Sequence, residues 1–139
     1  MDRRFGNQKG FSLLELLIAV FLLAVGLVAA VSMQQVAINS NTVSNRLSAG
    51  TALAQEVMED ILSLPQNNAA FNAAGTITAN YLFGGANVDQ PIEGAGVFTA
   101  TYTIDPKITE ETSRITVNVT QLNTNRNVAT FIAYKRIPQ

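Results

Sequence analysis

The chain has 139 residues, of which 47% are hydrophobic and 14% charged, so its length fits one modest domain while its mean hydropathy of +0.19 is high for a small soluble protein. It contains no Cys and no His, which excludes thiol nucleophiles, imidazole bases, disulfides and the usual zinc ligands together. A net charge of −1 conceals a division: Arg3, Arg4 and Lys9 precede a mildly acidic remainder, which argues against a phosphate-binding surface and against nucleic acid as a partner.

The first predicted element is an apolar helix. No charged residue lies between Leu16 and Asn45, and Leu16 to Val31 reads LLIAVFLLAVGLVAAV. Counted from Phe11, this run matches the roughly 20 residues that cross a hydrocarbon core as a helix. The basic residues before it place the N-terminus in the cytoplasm by the positive-inside rule. One acid intrudes, Glu15 in KGFSLLELLIAV (Lys9 to Val20). A carboxylate at mid-membrane costs about 2.5–3.5 kcal/mol, and such residues are usually functional. A secretory signal peptide accounts for the basic start, with Ala29 and Ala30 imitating its cleavage site, but its apolar core would be about 7–15 residues long. A plain anchor leaves Glu15 without a reason.

The basic leader ending in Lys9-Gly10, then Phe11, then Glu15 four residues on, then the long apolar run, resembles the type IV prepilin family. The resemblance implies that a membrane-bound aspartic peptidase cuts between Gly10 and Phe11 and N-methylates Phe11. It also implies that Glu15 meets the positive amine of a neighbouring subunit and sets register during assembly. Physics agrees in part, because an acid in a first helical turn meets unpaired N–H groups and the positive dipole end, worth about 0.3–1 kcal/mol. That falls short of the cost of membrane burial, whereas a neighbour's ammonium group makes up the difference. A bland alternative leaves Glu15 as a first-turn acid at the interface. Ala19, Ala24, Gly26, Ala29 and Ala30 let helices approach closely without forming a clean GxxxG. Ser32 stands near the place where many major pilins carry a proline.

Helical periodicity continues past Ser32. Val43, Leu47, Gly50, Ala54, Val57, Ile61 and Leu64 recur at gaps of four and three and predict one core-facing stripe, ended by Pro65. The expectation is a single helix from about Ser12 to Leu64. Arg46, Glu56, Glu59 and Asp60 fall on its solvated face. The segment TALAQEVMEDILSLP also resembles the helix end of PilV-type minor pilins.

Residues 65–96 are rich in Asn, Ala and Gly and predict loops, with short strands around Thr76–Thr78 and Tyr81–Phe83. Asp89 and Glu93 make too sparse a donor set for calcium, so no metal and no cofactor is expected. Alternation then predicts three strands. The first is Val97–Asp105, with Phe98, Ala100, Tyr102 and Ile104 on one face; the second is Arg114–Leu122, with Ile115, Val117 and Val119 inward; the third is Val128–Lys135. Pro106, Glu110 and Glu111 are assigned to the first loop, and Asn123–Asn127 to a turn.

The expected fold is α+β and pilin-like, a long N-terminal helix on a three- to four-stranded antiparallel sheet. Its divisions are a leader (1–10), a membrane and assembly half-helix (11–31), an amphipathic half-helix (32–64), a variable loop region (65–96) and the sheet (97–139). The resemblance implies a minor pilin or pilin-like subunit with prepilin peptidase, other pilin subunits, the inner membrane and the pilus assembly machinery as partners. It would span the inner membrane once, with a periplasmic body, and then enter a filament. Alternatives are a minor pseudopilin of a type II secretion system, a DNA-uptake pilin, and a bitopic membrane protein with a periplasmic domain and no filament role. An enzyme is the distant class, because no spacing links a nucleophile to a base.

Overall fold

A run of Leu, Ala and Val without an internal proline, followed by an apolar stripe at helical spacing, forms one helix, α1 (Leu13–Ser63), in a computed structural model that describes residues 11–109 and 111–137. The proposed leader lies outside the described residues. Contacts divide the chain into two units, 1–40 and 41–139. In the first, every described residue is solvent-exposed, Leu13 at 82% and Val28 at 68% among them. Its apolar window has hydropathy 2.8 and none of it is buried, so it is long and apolar enough to cross a membrane.

The second unit contains the C-terminal part of α1 and five strands: β1 (Ile77–Asn80), β2 (Asp89–Ile92), β3 (Gly96–Thr109), β4 (Thr112–Gln121) and β5 (Arg126–Arg136). All pairings are antiparallel; the order is β1-β3-β4-β5, and β2 pairs β3 beyond the end of β1. The α+β layout is as expected, and the sheet gains a strand because the loop region folds both β1 and β2 onto one edge of β3. Pairing continues on from Asn80, where the Tyr81 N–H donates to the Ala100 carbonyl. A short bridge joins Phe83 and Asn87.

Leu53, Ala54, Val57, Met58 and Ile61 of α1 are buried against Phe98, Ala100 and Ile104 of β3 and Ile115, Val117 and Val119 of β4. Phe71 and Phe83 close the core from the loops. The predicted stripe is too long at its start: Val43 is 53% exposed and Leu47 49% exposed. Burial of the helix begins at Gly50, where a Cβ would lie 2.5 Å from Val128 Cγ1. Val128 reaches that point through a register shift, because Val119 faces Ala129 while Thr120 faces Asn127. The extra residue bends β5 and aims Val128 at the helix.

One loop assignment also changes. Pro106 lies inside β3 rather than in a loop, at a register irregularity between Asp105 and Thr109 that relieves it of ladder donation. Glu111 keeps its place in the turn before β4 and is paired there: its carboxylate accepts from Arg136 at 2.6 Å and its carbonyl accepts from the Ile137 N–H at 2.7 Å.

Candidate functional site

The start of α1 is built by Ser12. The Leu14 N–H donates to Ser12 Oγ at 3.3 Å and the Leu16 N–H to the Ser12 carbonyl at 3.1 Å, so Ser12 is the helix N-cap. Glu15 then falls at the third helical position, the acid of the first turn. Ser12 and Glu15 have the S-x-x-E spacing of a capping box, a signal in the sequence that the reading of Glu15 alone passed over. Phe11 is 84% exposed immediately before the cap. Gly10 lies outside the described residues.

The geometry supplies an exposed carboxylate at the positive end of a helix, ringed by apolar side chains that no other part of the described chain covers. Leu13, Leu14, Leu16 and Leu17 are each at least 59% exposed. A charge in such surroundings is tolerated when a cation reaches it. Further along, Gly26 has open space around its Cβ position, and the Ser32 hydroxyl returns a 2.9 Å hydrogen bond to the Val28 carbonyl. That bond lets a hydroxyl sit in an apolar helix without an unsatisfied donor.

The body offers less chemistry. Asp60, expected on a solvated face, accepts a short hydrogen bond from the Tyr81 hydroxyl beside a cleft of about 400 Å³ lined by Ile61, Leu64 and Tyr102 as well. That bond, with burial and the charges of Asp60 and Glu56 adding, pushes the Tyr81 phenol up to about 12. Tyr81 therefore stays protonated at neutral pH and is neither base nor nucleophile. Asp105 accepts from Thr76 at 2.6 Å and from Arg114 at 2.6 Å, which hold its carboxyl below the usual range and tie β1, β3 and β4 at one end. Asp89 begins β2 and Glu93 lies in the β2–β3 turn; among the described residues no three metal-ligating side chains converge.

Lys135 is a structural residue that sequence reasoning missed. Its ammonium donates to the carbonyls of Leu62 and Leu64 and lies 4.6 Å from the centre of the Phe71 ring. The last turn of α1 contains no base of its own, so β5 supplies the cation that its unpaired carbonyls favour.

Residues 6–31 match the family model described as the prokaryotic N-terminal methylation motif. No curated protein and no solved structure matches the chain. The motif supports a type IV prepilin-like signal segment, and with the α+β layout it supports a type IV pilin-like or pseudopilin protein. It points to a structural subunit rather than an enzyme, and implies processing by prepilin peptidase and assembly with other pilin subunits.

Proposed function

We propose that the chain is a minor pilin or pilin-like subunit of a type IV pilus, cut between Gly10 and Phe11 and methylated on the Phe11 amine. The observation that carries this reading is the methylation motif at 6–31 heading an exposed apolar helix with Glu15 in its first turn. In this reading residues 1–10 are a leader, 11–31 anchor the chain in the inner membrane with a cytoplasmic N-terminus, and 32–139 form the amphipathic helix, loop region and sheet in the periplasm. Extraction into a filament packs the apolar helices side by side, and the Phe11 ammonium of one subunit neutralises Glu15 of the next. The same parts would serve a minor pseudopilin of a type II secretion system, the runner-up.

The test is production of the full chain with a prepilin peptidase, followed by intact mass and N-terminal sequencing. A new terminus at methylated Phe11 is expected, while a retained Met1 refutes the reading in favour of a plain anchor. Glu15→Leu should insert in the membrane and be cut normally, yet enter filaments about tenfold less, the equivalent of losing about 1.4 kcal/mol of charge pairing. Normal incorporation would reduce Glu15 to a helix-end acid.

A further inference from the structure

Arg46, expected on a solvated face of α1, is instead partly buried, and its Nε is enclosed without a hydrogen-bond acceptor among the described residues. A donor enclosed in this way is costly, and because Arg46 is only partly buried and borders two clefts, a carboxylate from outside the fold reaches the accessible part of its guanidinium. On one side Arg46 lines a cleft of about 100 Å³ with Val43, Leu47, Arg126 and Val128. On the other it lines a wider one of about 560 Å³ with Glu93 and Asn123, although Glu93 forms no ion pair with it. Arg126 is also without a carboxylate, since the ion pairs of the described residues are Asp105 with Arg114 and Glu111 with Arg136. Two arginines without an ion pair among the described residues thus flank the apolar side chains of Val43 and Leu47, the part of the helical stripe that the sheet leaves exposed.

The same helix carries the complement. Glu56 and Glu59 are exposed and unpaired among the described residues. At about 100° per residue they point about 280° and 220° around α1 from Arg46, and they lie about 15–20 Å further along it. We propose that the Arg46–Arg126 cleft receives the acidic face of α1 from a second copy of this chain, with Glu56 or Glu59 satisfying Arg46. The two patches differ, and two copies joined cleft to cleft would oppose arginine to arginine. Joined head-to-tail, the contact extends an open assembly, whereas the same contact made twice between two copies would close as a dimer. This inference rests on the filament-subunit reading and adds to it a contact between bodies, independent of Glu15.

The chain has no cysteine, so introduced thiols report cleanly. One tagged full-length copy carries Asn123→Cys beside the cleft and another carries Gln55→Cys beside the acids. Both are produced in membranes with a prepilin peptidase and treated with a bifunctional maleimide. Mixed cross-links are expected to exceed same-site ones. Arg46→Glu in the first copy should reduce them about fivefold or more, and Glu56→Arg with Glu59→Arg in the second should restore them, as expected of opposed charges that switch sign together. Arg126→Glu, exposed at the start of β5, gives the same readout without touching a packed side chain. Cross-links insensitive to both reversals, same-site cross-links in excess, or capture of Asn123→Cys by a different protein alone would each overturn the proposal. Cleavage after Gly10 is scored in the same samples, so loss of cross-linking with normal cleavage counts against this contact and leaves the wider reading standing.

Discussion

Single residues decide how the helix meets the sheet. At Gly50 the nearest obstacle is a β-branched side chain, Val128, whose Cβ would be 3.1 Å from an added methyl group. Overpacking costs about 1–3 kcal/mol, whereas replacing a mid-helix Gly by Ala returns roughly 1 kcal/mol of helix propensity. The balance for Gly50→Ala is a loss of about 0–2 kcal/mol. Gly50→Val adds bulk with less propensity gain, and is expected to lower stability by about 1–3 kcal/mol in denaturant titrations. Equal midpoints for Gly50→Val and the parent would show that Val128 yields freely. Tyr81 makes a different prediction. Its phenol titrates at about 12 in the folded chain against an ordinary 10.0, so its bond to Asp60 stabilises fully below pH 10.0 and is lost as pH rises through about 12. The stability gap between the parent and Tyr81→Phe, about 0.5–1.5 kcal/mol for one hydrogen bond, should hold constant to about pH 10 and shrink above it. A gap that persists to pH 12 would place the stabilisation elsewhere.

At the scale of elements, what was legible depended on range. The helix from Leu13 to Ser63 follows from its period and from Pro65, and the inward faces of β3 and β4 follow from alternation, with Phe98, Ala100, Ile104, Ile115, Val117 and Val119 all buried. Those signals are local. β2 was missed because DQPI has no apolar alternation, and its pairing comes from the reach of β3, with Gln90 opposite Phe98 and Ile92 opposite Gly96. The exposure of Val43 and Leu47 was missed because helix period says which way a side chain points but not where the opposing sheet begins. Lys135 was missed for a similar reason, since its helix partners lie more than 70 residues earlier in the chain. At the candidate site, the spacing from Phe11 to Glu15 was readable, and so was the Ser12 cap for a reader who counts three residues back from the acid. The unpaired Nε of Arg46 was not, because no local pattern reveals which distant residues fold over a helix side chain.

The whole molecule combines two kinds of surface. Residues 11–40 are exposed throughout and largely apolar, while the core is drawn entirely from residues beyond Asn41. A fragment starting at Asn41 is accordingly expected to be soluble without detergent and to unfold in one cooperative transition by circular dichroism, as small single domains usually do. A broad, sloping melt would mean that the body depends on the preceding helix. The family match at 6–31 concerns only the first of these surfaces, so the body's contacts have to be read from its own side chains.

The clasp of Lys135 on the Leu62 and Leu64 carbonyls joins the far end of β5 to the end of the first element. During synthesis, therefore, the helix emerges long before the residue that closes its terminus. The middle strand β4 likewise waits for β5 before both its edges are paired. The body closes only after β5 has been made, and a chain cut before Lys135 would leave the helix terminus unguarded.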